Sequence, residues 1–230
     1  MATSSKMLYL TRHAEAEHNK TGDDNIADAP LTDLGRKQAA QLRKDTEHSD
    51  WINEVELIVC SPLKRPMQTM LAGYGPLRDR LEQSGRPVII LPELEEVKNV
   101  PCDTGSSRLT LESDPEFAGL DFSLLDHKRS LHKERAWNAK EGFYHQDNVK
   151  ERAKWVRRWL RERKEAKIVV VAHGDILGYV SQLSDDEEPW LNAQVRAYKF
   201  KHGDTDDEDA VLERVHESVA KPTESLEGEK

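Results

Sequence analysis

Apolar positions along the chain follow two rhythms. Residues 7–11, 57–60, 88–91 and 167–172 are short apolar, β-branched runs, the pattern of strands buried in a sheet. Residues 195–201 and 210–215 predict a final hairpin across the acidic turn 203–209. Helical spacing fills the intervals. A helix is predicted over 31–47, with Thr32 as its cap, and others over 62–73, 76–83 and 175–182. The longest covers 147–165, where Val149, Ala153, Val156 and Leu160 share one face. Alternating strands and helices predict an α/β fold, a mostly parallel sheet with helices on both faces. Residues 101–144 break the alternation. They are long, polar and mixed, and read as an insertion above the sheet edge that contributes to a pocket. Residues 217–230 are polar and without period, so a disordered tail is expected after a single domain spanning 1–216.

Two of the strand runs end in histidine: Thr11-Arg12-His13 and Ala172-His173-Gly174. Ligands of open α/β sheets bind at the carboxyl ends of the strands. An imidazole there can act as a nucleophile, and a neighbouring guanidinium can hold an anion in a two-pronged grip. One histidine after a strand is ordinarily structural. Two, with Arg12 beside the first and Arg65 after the second strand run, point to catalysis.

These residues resemble the signature of the histidine phosphatase superfamily, also called phosphoglycerate mutase-like, which has Arg-His-Gly-Glu near its start and a late His-Gly. Ser61-Pro62-Leu63-Lys64-Arg65-Pro66-Met67-Gln68-Thr69 is similar to the family's Ser-x-Leu-x-Arg-Ala-x-Gln-Thr block. Thr32-Asp33-Leu34-Gly35 is similar to its Leu-Thr-x-x-Gly helix start, and Asn19 falls six residues after the nucleophile position, as in the family. The resemblance spans roughly residues 7 to 200, and four blocks in order are far more specific than one.

The resemblance implies the three-layer phosphoglycerate mutase-like fold, with residues 101–144 as an inserted cap segment. It implies that His13 attacks phosphorus and becomes a phosphohistidine, which water later hydrolyses. Arg12, Asn19, Arg65, His173 and the Gly174 amide would hold the phosphoryl oxygens, so catalysis would rest on positioning and electrostatics. Glu96, within Leu94-Glu95-Glu96-Val97, fits the family's proton donor, with Glu93 and Glu95 as rivals in register. No cofactor and no metal are implied.

Departures from the pattern refine this. Ala14 replaces Gly, Ala16 replaces a common Thr, and Pro66 replaces Ala in the first helical turn, where a missing N–H costs little. Residues 98–105 lack the Gly-x-Trp-Glu-Gly region of many members. They carry Cys102-Asp103-Thr104-Gly105, with Trp137-Asn138-Ala139-Lys140-Glu141-Gly142 later, similar to a divergent branch common in fungi. For Asp103 and Lys140, contact with substrate competes with a place in a surface loop. The leading expectation is a metal-independent phosphatase of a small phosphorylated metabolite. The alternatives are a phosphoglycerate-type mutase and a non-catalytic interaction module that retains the fold.

Composition bounds these readings. A chain of 230 residues buries enough surface for one domain. A net charge of −9 argues against nucleic acid as a partner. No run approaches the ~18 apolar residues of a membrane span, and residues 1–6 lack the apolar core of a secretory signal. Two cysteines, Cys60 and Cys102, imply no disulfide framework and suit a cytoplasmic location, with Cys60 a buried free thiol. His127, His132 and His145 lack zinc-ligand spacing. The basic stretch 150–167 reads as the solvated face of a helix, and Trp155 and Trp159 as half-buried or core. Oligomeric state is open.

Overall fold

The carboxyl ends of three parallel strands meet at one place, and the register of the sheet decides which residues they deliver there. The computed structural model describes residues 6–126, 136–184, 188–201 and 207–220. The strands are β1 (Met7–Arg12), β2 (Leu57–Cys60), β3 (Ile89–Ile90), β4 (Lys167–Ala172), β5 (Val195–Phe200) and β6 (Leu212–Ala220). The helices are α1 (Glu17–Thr21), α2 (Asp33–Thr46), α3 (Asp50–Glu54), α4 (Lys64–Gly73), α5 (Gly75–Gln83), α6 (Arg108–Ser113), α7 (Val149–Glu162) and α8 (Gly174–Ser181).

Among the described residues the sheet has six strands in the order β3-β2-β4-β1-β5-β6. The first four are mutually parallel, and β5 and β6 form the expected antiparallel edge. Strand residues alternate between faces. Tyr9, Ile58, Cys60, Val169 and Val171 enter one core, with Met67, Met70 and Leu77 of α4 and α5. Leu8, Leu10, Val59, Val170 and Ala172 enter the other, with Ala153, Val156, Ile176 and Leu177 of α7 and α8. The three-layer α/β architecture follows from these two cores.

Several expectations are corrected. β6 runs through Ala220, so the chain remains paired past residue 217, where a tail was expected; residues 221–230 lie outside the described residues. The strand expected over 88–91 is reduced to two residues, because Pro92 opens a 3-10 turn and cannot donate to a ladder. Helices α1, α3 and α6 are too short to carry a readable period. The segment 101–144 also joins the first core, through Leu111, Phe117, Phe122, Trp137 and Tyr144. His127, His132 and most of the turn 203–209 lie outside the described residues.

The basic helix α7 is not simply solvated on its charged face. Arg152 and Arg157 are buried, the latter donating to the Asp209 and Tyr179 carbonyls at 2.9 and 3.1 Å. Trp155 and Trp159 are half-buried and stack on each other. Cys60 and Cys102 are free and buried. No helix among the described residues is long and apolar enough to cross a membrane.

Candidate active site

Pairing of Arg12 with Ala172 leaves His13 and His173 side by side, one residue past their strands. The His13 N–H donates to the Ala172 carbonyl at 2.9 Å, and the two rings stand edge to face, 5.2 Å between centres. Both imidazoles are buried. On β2, pairing of Cys60 with Val171 places Ser61 next in line, where its Oγ meets His173 Nε2 at 2.8 Å.

The motif blocks hold the turn after His13. Ala14 N–H donates to Thr69 Oγ1 at 3.0 Å, Glu15 N–H to Gln38 Oε1 at 2.8 Å, and Leu31 N–H to Gln68 Oε1 at 2.8 Å. Thr32 caps α2 by accepting from Gly35 N–H, as expected, and its hydroxyl donates to Glu15 Oε1 at 2.7 Å. Gly35 is required by close approach: a Cβ there would lie 1.9 Å from the Glu15 carbonyl oxygen. The Leu-Thr-x-x-Gly and Gln-Thr blocks thus brace the loop that follows His13.

Arg65, fully buried at the start of α4, lies against His13. Its Nε–H donates to His13 Nε2 at 3.1 Å, while His13 Nδ1 is 2.7 Å from the Ala14 carbonyl. A guanidinium cannot accept and a carbonyl cannot donate. The proton of His13 is therefore on Nδ1 and the lone pair on Nε2. Burial, then the charges of Arg65 and Arg12, hold His13 well below the ordinary imidazole pKa. His173 is lowered the same way, chiefly by burial and then by Arg65. Arg65 is fixed by the Cys102 carbonyl and by Asp103 Oδ1 at 2.9 Å. Asp103 is buried, so the surface-loop alternative is excluded for it.

Lys140 is buried as well. Its Nζ lies 2.6 Å from the Glu96 carbonyl and 3.2 Å from Glu95, and Arg152 lies 3.2 Å from Glu95 on the other side. The two unusual sequence blocks dock on each other. Asn138 Nδ2 donates to the Gly105 carbonyl at 2.9 Å, and a Cβ on Gly105 would lie 2.0 Å from the Trp137 ring. Removing one partner of a buried ion cluster leaves charge uncompensated, at a cost of about 3–5 kcal/mol. Lys140→Met is expected to lower the unfolding free energy from urea titration by that order, with a correspondingly lower midpoint, and with Asp103 and Arg65 left in place. An unchanged midpoint would show the cluster to be energetically neutral.

The three candidate acids differ in position, not acidity. Glu93, Glu95 and Glu96 are each pushed up to about 7, burial being the main cause. Glu93 accepts from the Tyr144 hydroxyl and Glu95 is paired with Lys140 and Arg152. Glu96 lines an open cleft of about 670 Å³, together with Arg12, Val97, Lys98, Gly174 and Trp190. Glu96 Oε1 accepts from the Val97 and Ile176 N–H groups at 3.1 and 3.0 Å. Among the described residues Oε2 has only the Asp175 N–H, at 3.3 Å.

Arg12 borders the same cleft and donates from one amine to the Trp190 carbonyl, while its buried Nε has no acceptor among the described residues. Gly174 heads α8 beside it. His173 Nδ1 is likewise buried, with no partner among the described residues. Asn19 is placed differently from the other expected residues. It is exposed, its Oδ1 accepts from the Ala16 N–H at 3.1 Å, and its amide nitrogen faces His18 at 3.0 Å. Sequence reading missed His18, whose ring centre is 6.0 Å from that of His13. It lies in the one-turn helix α1, which has no pattern to single it out. Among the described residues no group of three or more His, Cys, Asp or Glu is placed to hold a metal ion.

The mostly parallel sheet sets His13, His173 and Arg12 at its strand ends, with Arg65 at the start of α4 against them. The sequence matches the histidine phosphatase superfamily (branch 1) over residues 8–217, and the chain belongs to that family. It is 31% identical over 205 residues to phosphoglycerate mutase-like protein 1 of Arabidopsis thaliana, covering 75% of this chain and 69% of that one. It is 27% identical over 199 residues to a probable phosphatase of Schizosaccharomyces pombe, covering 85% and 86%. The fold is shared with the α-ribazole phosphatase of Shigella flexneri, with a TM-score of 0.54, 21% identity, and 91% and 94% of the two chains covered. It is also shared with a phosphoserine phosphatase of Entamoeba histolytica in complex with 3-phosphoglyceric acid, at TM-score 0.53, 18% identity, and 86% and 92% coverage.

Proposed function

We propose that the chain is a metal-independent phosphatase that hydrolyses a small phosphorylated metabolite through a phosphohistidine at His13. The observation that carries this reading is the lone pair of His13 Nε2, unprotonated and set among Arg12, Arg65 and His173. On substrate binding, Arg65 turns from His13 to the phosphoryl oxygens, with Asp103 holding its far side. Arg12, His173 Nδ1 and the head of α8 supply further donors, so the charge spread over those oxygens is met by fixed positive groups.

In the first step, His13 Nε2 forms a bond to phosphorus as the bond from phosphorus to the leaving oxygen breaks. Glu96 gives its proton to that oxygen, and the alcohol departs through the cleft that Glu96 lines. In the second, water adds to phosphorus, the bond to Nε2 breaks, and Glu96 takes up the water's proton. The enzyme returns to its starting state and inorganic phosphate leaves. One carboxyl acts as acid and then as base, for which a pKa near neutrality is suited.

A small acid phosphate is a fitting substrate class, given the ligand bound by the Entamoeba relative and the cations Arg12 and Lys98 at the cleft. The two buried free thiols suit a reducing, cytoplasmic setting. Purified protein is expected to release inorganic phosphate from p-nitrophenyl phosphate, and from one or more phosphorylated metabolites in a panel, with excess chelator present. Orthovanadate is expected to inhibit as a five-coordinate mimic. Activity lost on chelation and restored by a divalent ion would overturn the scheme. Rapid interconversion of 3- and 2-phosphoglycerate with a bisphosphate primer, without phosphate release, would favour a mutase.

A further inference from the structure

The cleft beside Glu96 continues along α8. Gly174, Asp175, Gly178 and Tyr179 all line it. Positions i, i+1, i+4 and i+5 lie on one side of a helix, so one face of α8 forms the floor. With a rise of about 1.5 Å per residue, Gly178 lies roughly 6 Å along the axis from Gly174 at the helix head. The volume of about 670 Å³ falls within the ~300–1,000 Å³ of pockets that take a whole small molecule.

Gly178 sits inside a helix, where glycine is less stable than alanine because it loses more backbone freedom on folding. Neither common reason for a glycine applies to it. Its φ is not in the left-handed region, and a Cβ would meet no atom within 4 Å beyond its own helix among the described residues. What the missing side chain leaves is open space, and that space belongs to the cleft.

The wall beyond Gly178 is apolar. Tyr179, 39% exposed, is one of three large hydrophobic residues left exposed among the described residues. Single apolar residues on a surface are ordinary, but this one shares a cleft with Val97, Leu183 and Pro189. The wall is anchored. The Leu183 N–H donates to the Gly178 carbonyl at 2.9 Å, and Arg157 donates to the Tyr179 carbonyl at 3.1 Å. Lys98, which is exposed, lines the cleft next to Val97.

We propose that this part of the cleft is the subsite for the alcohol portion of the substrate, that Gly178 is the specificity-determining residue that keeps it open, and that the substrates are phosphate monoesters whose alcohol carries an apolar or aromatic surface beyond its first few carbons. The proposal rests on the phosphatase reading and narrows its substrate class. The bridging oxygen lies at Glu96, whose carboxylate is held by the Asp175 and Ile176 N–H groups at the head of α8. The first carbons of the alcohol pass over Gly178, and the apolar portion reaches Tyr179 and Leu183. Lys98 receives an acid group where the alcohol carries one. A three-carbon acid alone leaves the apolar wall uncovered.

The test uses the full chain and a series of primary alkyl phosphates: ethyl, butyl, hexyl and 4-phenylbutyl. Their leaving alcohols have nearly the same acidity, so the series varies burial and leaves the chemical step alone. A methylene moved from water onto an apolar wall is worth up to roughly fourfold. From butyl to hexyl, kcat/KM is expected to rise by about fourfold to fifteenfold, mainly through KM, with 4-phenylbutyl higher still. Gly178→Leu fills the space with four carbons and is expected to bring the hexyl-to-ethyl ratio of kcat/KM close to one. Its thermal midpoint should be equal or higher, since leucine is the better helix former. Should Gly178→Leu fail to fold, Gly178→Ala takes its place and must lower the same ratio. A variant that keeps the wild-type ratio would overturn the proposal. A wild-type protein that releases phosphate from p-nitrophenyl phosphate but shows no rise along the alkyl series would remove this proposal alone. One that releases phosphate from none of these esters would remove the phosphatase reading and this proposal with it.

Discussion

His13→Ala is expected to abolish phosphate release and to eliminate the acid-labile phosphoenzyme trapped by rapid quenching of the wild-type protein. The effect should be total because, in the proposed scheme, His13 forms the bond to phosphorus and does not merely assist a step that water could take directly. Arg65 has its remaining nitrogens on Asp103 and the Cys102 carbonyl, so it should stay in place when His13 is shortened. Its Nε–H loses an acceptor in a buried site, a cost of about 1–3 kcal/mol. The variant should therefore fold, with a lower thermal midpoint, and still bind orthovanadate through Arg12, Arg65 and His173. Retention of vanadate binding with loss of the phosphoenzyme separates nucleophile from binding site. Turnover at the wild-type rate would sink the phosphohistidine scheme.

The centre of this site was legible because parallel strands translate sequence position into spatial position. Two apolar runs that each end in histidine must, if paired in parallel and in register, set those histidines side by side, and the pairing of Arg12 with Ala172 does so. Thr32 was legible as a cap for a local reason, since cap chemistry spans three residues. The charged groups behind the site were not. Asp103 and Lys140 read either as substrate contacts or as surface-loop residues, and Arg152 as part of a solvated helix face, the ordinary fate of a charge. Their burial depends on partners 38, 44 and 56 positions away, and no local pattern encodes such a pairing. The register of the acid was open for a related reason. Three glutamates in four positions share composition and acidity, and the 3-10 turn Pro92–Leu94 settles which of them faces the cleft.

That placement makes the second large effect specific. A positioned general acid contributes typically ~10²–10⁴ in rate, and most where the leaving group is a poor one. Glu96→Gln is expected to slow hydrolysis of an alkyl phosphate by about that factor. It should slow p-nitrophenyl phosphate far less, because nitrophenolate departs without a proton. The pH dependence follows from burial and from the negative charges of Asp103 and Asp175, which raise the Glu96 pKa to about 7. The protonated, proton-donating form then persists up to neutrality and is lost above it. For alkyl phosphates, kcat/KM should fall as pH rises through about 7. That limb should be weak with p-nitrophenyl phosphate and absent in Glu96→Gln. The neighbouring glutamates are the controls, because each has a different structural task. Glu95→Gln weakens the cluster with Lys140 and Arg152, so it should lower stability without a dependence on leaving group. Glu93→Gln touches the contact with Tyr144 and should behave likewise. A leaving-group-dependent loss in Glu93→Gln or Glu95→Gln, but not in Glu96→Gln, would move the acid within this turn and keep the chemistry. Its absence from all three would place the proton donor elsewhere and remove Glu96 from the mechanism.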